Sequence, residues 1–129
     1  MAIEPFIKCS DISTSLEFYS GILDFVIVQP PDPDPASFMS KYSLLERDGS
    51  LIHLSSHNGD GVFGNVVYVR VSDIDPLYSK FVDNGLNTHD SNEYPSLRIP
   101  PVEQSWGMKE FSVTDPDGNK ITFGHEILS

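Results

Sequence analysis

The chain has 129 residues, 39% of them hydrophobic, and a formal net charge of −11 at pH 7. That size and composition fit one globular domain with a sizeable core and exclude a disordered chain. The acidity argues against nucleic acid, whose phosphates would be repelled, and no apolar run reaches the length of a membrane span.

The N-terminus carries no basic-then-apolar leader, so a cytoplasmic location is expected. The single cysteine, Cys9, allows no internal disulfide and reads as a buried structural thiol. Residues 3–9 read as a first strand. Residues 11–24 read as a helix, with Thr14 and Glu17 at the spacing of a capping box. Leu16, Tyr19 and Leu23 recur at helical spacing, and Phe18 and Ile22 widen that apolar face. Residues 25–29 read as a second strand. The run Pro30-Pro31-Asp32-Pro33-Asp34-Pro35 lacks the donors that a helix or a central strand needs. It is expected to be an extended acidic loop, either a solvated connector or a rim that places Asp32 and Asp34 near a cationic ligand.

Residues 42–47 and 51–55 read as a hairpin turned at Asp48-Gly49. Residues 57–64, rich in Gly and Asn, read as a linker. Residues 65–71 then read as a strand. A second helix is expected over residues 75–84, capped by Asp75, with Pro76 in its first position and Gly85 after its last turn. Residues 86–89 read as a strand. Residues 92–105 read as irregular, with at most a short strand over 97–99.

The last stretch carries the strongest local signals. Residues 109–114 and 120–125 alternate, with Phe111, Val113, Ile121 and Phe123 inward. Asp115-Pro116-Asp117-Gly118 supplies the turn between them. Trp106-Gly107 lies at the mouth of this hairpin. An indole beside a glycine can offer a flat face to a ligand, although a rim or core aromatic reads the same way.

The chain repeats itself. Asp48-Gly49-Ser50-Leu51-Ile52-His53-Leu54 matches Asp117-Gly118-Asn119-Lys120-Ile121-Thr122-Phe123 in Asp, Gly and the two apolar positions, and Asp11-Ile12 matches Asp73-Ile74. Each half reads as strand, helix and three strands. The fold class expected is α+β, a single domain over 1–129 made of two tandem βαβββ modules, about 2–57 and about 65–127.

Trp106-Gly107-Met108-Lys109-Glu110-Phe111 followed by Asp115-Pro116-Asp117-Gly118-Asn119 resembles the C-terminal signature of the bleomycin-resistance branch of the vicinal-oxygen-chelate superfamily, which also holds the glyoxalases and extradiol dioxygenases. The duplicated βαβββ pattern is that superfamily's architecture. The resemblance implies curved sheets forming a cleft, a homodimer with ligand sites at its interface, and sequestration of a planar cationic glycopeptide without chemistry. It implies ligand-binding roles for Trp106 with Gly107, for Tyr68 on the second module's first strand and for Tyr42 at the start of the first hairpin. Phe38 and Phe63 are further aromatic candidates by proximity in sequence, and Asp32 and Asp34 are acidic ones. No cofactor is expected.

Enzymes of that superfamily place metal ligands on the first and last strand of each module. By the spacing from the two Asp-Ile pairs, those positions here are Glu4, His53, Val66 and Thr122. Three protein ligands are the usual minimum for a catalytic metal site. Val66 cannot ligate and Thr122 ligates poorly, which leaves Glu4 and His53 as weak metal candidates. The four histidines, His53, His57, His89 and His125, follow no metal-site motif. The alternatives to a sequestering protein are a metal-dependent glyoxalase- or dioxygenase-like enzyme and a binding module for an unrelated metabolite.

Overall fold

The computed structural model describes residues 1–89 and 92–128. Its strands are β1 (Phe6–Lys8), β2 (Val26–Gln29), β3 (Tyr42–Arg47), β4 (Ser50–Ser55), β5 (Val66–Arg70), β6 (Ser96–Glu103), β7 (Met108–Thr114) and β8 (Lys120–Glu126). They form two four-stranded sheets, ordered β1-β4-β3-β2 and β5-β8-β7-β6. In each, the first strand runs parallel to the fourth and the other pairs are antiparallel. The two sheets therefore share one topology, as the repeat predicts, and the fold is α+β.

The elements form where local chemistry directs them. Asp48 and Gly49 both have positive φ, 49° and 83°, the conformation that a tight turn between β3 and β4 needs. Helix α1 (Ile12–Leu16) continues into a π-helical stretch, Glu17–Ile22, and helix α2 covers Ile74–Asp83. Their caps differ from the expected ones. Asp11 caps α1, its side chain accepting from the Ser13 amide and the Thr14 hydroxyl. Asp73 caps α2 by accepting from the Asp75 amide. The repeated Asp-Ile pair is thus a repeated helix start, and an aspartate one residue before the helix outcompetes the Thr14–Glu17 box. Asp75, inside the first turn, pairs with Lys109 instead.

No strand forms over 86–89. The sixth strand is the eight-residue β6, which contains Pro100 and Pro101. Prolines are tolerated there because β6 is an edge strand whose pairing with β7 shifts register twice, between Leu97 and Ile99 and between Ile99 and Val102.

One face of each sheet turns inward. Ile7, Leu45, Ile52 and Leu54 from the first sheet join Phe111, Val113, Ile121 and Phe123 from the second, with both helices, in one buried cluster. Phe81 of α2 packs edge-on against Phe111 and Phe123, with centroids 6.0 and 5.2 Å apart. Arg47 joins the halves, donating to the Leu23 carbonyl at 2.7 Å and lying over the Phe81 ring. Cys9 is buried, and burial pushes its thiol up to about 11, which makes it inert at neutral pH.

The Asp115–Asn119 turn also joins the halves. Asp115 is fully buried and accepts four hydrogen bonds, from the Tyr19 hydroxyl, the Asn119 amide side chain and the backbone amides of Asp117 and Asn119. Asn119 donates to the Lys8 carbonyl and accepts from the Asn65 amide. Asp117 accepts from the amide and hydroxyl of Ser10. A turn read from sequence as a local reversal is therefore a clasp between β1, the π-helical stretch and the β7–β8 hairpin.

Candidate functional site

The other face of each sheet is open, and each carries its own group of side chains. On the second sheet, Glu110 in β7 lies opposite Gly124 in β8, and Tyr68 in β5 lies opposite Thr122. Tyr68 reaches across β8 and donates its hydroxyl to Glu110 Oε2 at 2.7 Å. Trp106, just before β7, donates its indole N–H to the same oxygen at 3.3 Å. The Glu110 side chain sits low, with the residue 8% exposed, while Tyr68 and Trp106 stand out from it at 45% and 64%. Burial of the phenol and its bond to Glu110 push Tyr68 up to about 12, so it remains a donor at any physiological pH.

The reach of Tyr68 depends on Gly124. A Cβ there would collide with the Tyr68 hydroxyl and lie 2.8 Å from its Cζ and 3.1 Å from Glu110 Cγ. Gly124→Ala should therefore swing Tyr68 off Glu110 and bring its phenol back toward the ordinary value of about 10. Tyrosine titration followed by NMR checks this; an unchanged high value would show that the sheet surface accommodates the methyl group. Gly107 has a different reason to be glycine. Nothing lies within 4 Å of a Cβ built on it, but its φ of +84° favours glycine. It turns the chain from Trp106 into β7 rather than clearing space for a ligand.

On the first sheet, His53 lies opposite Phe6 and stacks on its ring with centroids 4.3 Å apart. Its Nδ1 pairs with the Tyr42 hydroxyl at 2.6 Å and its Nε2 with Glu4 Oε1 at 2.8 Å. With Tyr42 donating to Nδ1, the neutral ring donates from Nε2 to Glu4. Burial and the Glu4 charge hold the Tyr42 phenol above its ordinary value, so this chain of groups does not generate a phenolate. Nearby, Phe38 stacks on His57 at 3.9 Å, and Lys8 lies 5.6 Å from the Phe63 centroid while donating to the His57 carbonyl.

A family model described as Glyoxalase superfamily protein matches residues 1–128. The chain belongs to the glyoxalase superfamily. Among solved structures, a bleomycin resistance determinant encoded on the transposon Tn5 superposes with a TM-score of 0.77 at 22% identity, covering 99% of both chains. A bleomycin-binding protein complexed with bleomycin gives 0.74 at 21% identity, covering 98% of both. The bleomycin-binding protein of Streptomyces verticillus, complexed with copper(II)-bleomycin, gives 0.71 at 19% identity, covering 100% of this chain and 97% of the other. These likenesses establish the fold. No curated protein matches significantly.

Within this glyoxalase-superfamily fold, the four positions read as possible metal ligands do not form a three-ligand site. Val66 is apolar, and the Thr122 hydroxyl pairs with Ser112 at 2.8 Å. Glu4 and His53 do meet, but both ring nitrogens of His53 are already engaged. Among the described residues, no three His, Cys, Asp or Glu side chains converge as a metal site would require. The register also sets Phe6 beside His53 and Tyr68 beside Thr122, so each sheet presents an aromatic ring where its first and last strands meet.

The structure sorts the sequence candidates. Trp106, Gly107 and Tyr68 come together on the second sheet and Tyr42, His53 and Glu4 on the first, while Phe38 packs on His57 and Phe63 lies by Lys8. Asp32 and Asp34 join neither. Asp32 accepts from the Asp34 amide and Asp34 from the Ala36 amide within their own loop, and the Asp34 amide, together with the Ser37 hydroxyl, holds the Asp32 carboxyl below its ordinary value. The acidic residue that meets Tyr68 and Trp106 is Glu110. It stands within the Trp-Gly motif, whose resemblance assigns it no role. The only signal in the sequence is its place in that motif, on the strand face opposite Phe111 and Val113.

Beside the unpaired edge of β5 lies a cavity of about 670 Å³. The arm at residues 2–5, the β3–β4 turn and β5, including Tyr68, line it.

Proposed function

We propose that this protein is a small-molecule binder that holds a planar cationic ligand of the bleomycin type against the open face of its second sheet and does no chemistry on it. The observation that carries this reading is Trp106. It is an indole 64% exposed and anchored at its N–H to a nearly buried carboxylate. An exposed aromatic held in one orientation is a stacking platform with little entropy left to lose on binding. The bleomycin complex of a protein with this fold supports the ligand class.

The proposal includes a homodimer in the cytoplasm. Both open sheet faces expose large apolar side chains, among them Phe6, Val26, Val66 and Tyr68. A second copy would cover them and complete the site, and a two-fold partner would do so twice.

Two measurements test the proposal. Trp106 is the only tryptophan, so bleomycin added to the protein should perturb its emission saturably, with affinity falling as salt screens the −11 charge. Emission indifferent to bleomycin would refute the ligand. Sedimentation velocity at micromolar concentration should give the mass of two chains, and a monomer would refute the dimer.

A further inference from the structure

Glu110 combines features that ligand stacking on Trp106 does not require. Its carboxylate lies at the floor of the second sheet's open face, in a residue only 8% exposed. Among the described residues, no cationic side chain forms an ion pair with it. Its two partners, Tyr68 and Trp106, are neutral donors that meet at a single oxygen, Oε2. A carboxylate withdrawn from water normally has a countercharge, because neutral hydrogen bonds replace only part of its hydration. Here the open side is walled by two aromatic rings whose polar ends touch the carboxylate and whose bodies project outward. Gly124 makes that arrangement possible by letting Tyr68 lie over the sheet.

We infer that Glu110, Tyr68 and Trp106 form a socket for a compact alkylated cation of the quaternary-ammonium class. The inference rests on the reading that this face binds a small molecule and goes further by naming the charged group it selects. Two facts favour an alkylated cation over a guanidinium or a primary ammonium. Oε2 already accepts two hydrogen bonds, which obstructs the two-pronged approach of a guanidinium. The rest of the socket is the two rings of Tyr68 and Trp106, which attract a diffuse positive charge and add few acceptors for the three N–H donors of an ammonium.

The test compares choline with 3,3-dimethyl-1-butanol, which has the same shape without the charge. Each is titrated into the full chain and followed by Trp106 emission. Choline should bind at least tenfold more tightly than the alcohol. Glu110→Gln keeps the side-chain shape and an acceptor oxygen but removes the charge, and it should abolish the preference. Equal affinities in the wild-type protein, or binding of neither compound, would overturn the socket without any variant having to fold. A preference that survives Glu110→Gln in a variant with wild-type thermal unfolding would overturn it too. The bleomycin titration separates the two readings. A response to bleomycin with no choline preference defeats the socket alone, and a choline preference without a bleomycin response defeats the antibiotic reading alone.

Discussion

Asp115→Asn should destabilise the protein by about 2–4 kcal/mol, although it removes a buried charge. The two Asp115 oxygens face four donors: two backbone amides, the Tyr19 hydroxyl and the Asn119 side chain. An asparagine can turn its oxygen toward only one pair. Its NH2 then opposes the other, and the Asn119 side chain has no freedom to reverse because it also donates to the Lys8 carbonyl. Each buried donor left unpaired costs about 1–3 kcal/mol. Relief of the buried charge offsets part of this. Burial pushes the Asp115 carboxyl above its ordinary value even though its hydrogen bonds pull the other way. The folded state therefore keeps that proton to higher pH than the unfolded chain does. The associated stability is present below the unfolded pKa and is lost as pH rises through the folded one. Urea unfolding should show a lower midpoint with unchanged slope in the variant, together with loss of that component of the pH dependence. Tyr19→Phe, which removes one donor and leaves three, should cost about 1 kcal/mol. A neutral Asp115→Asn would mean that the turn does not clasp the halves.

Trp106→Ala should weaken ligand binding by about ten- to a hundred-fold. Stacking of a flat heteroaromatic ring on an aromatic side chain is worth about 1–3 kcal/mol, and 1.4 kcal/mol is one decade of affinity. The folded state should barely register the change. A residue 64% exposed contributes little burial, and Glu110 keeps its shorter bond to Tyr68. A surface substitution of this kind shifts stability by about 0.5 kcal/mol, whereas truncating a buried tryptophan would cost about 3–5 kcal/mol. Binding by titration calorimetry and stability by thermal unfolding, both on one mutant, decide the matter. A strongly destabilised variant would make Trp106 a packing residue, and full-affinity binding would remove it from the site.

Local chemistry written in the sequence was enough for much of this fold. Alternation and the Asp48-Gly49 and Asp115–Gly118 turns locate β3, β4, β7 and β8 almost to the residue, because strand period and turn dihedrals are properties of a few neighbours. The paired Asp-Ile segments reveal the duplication, since each starts a helix in its own half. Trp106 stands out because its motif does. Three things lay beyond that reach. The strand β6 forms across two prolines only because it occupies a sheet edge. The carboxylates of Asp11 and Asp73, not Thr14 or Asp75, reach the free amides at the helix starts. Most of all, the site depends on contacts between distant residues: Tyr68 and Glu110 are 42 positions apart, and Tyr19 and Asp115 are 96 apart. No periodicity in the chain encodes that Gly124 will lie beneath a tyrosine from another strand. Only the parallel pairing of β5 with β8 sets that ring over the glycine and its hydroxyl on Glu110, and so decides which of the chain's 19 acidic residues meets Tyr68 and Trp106.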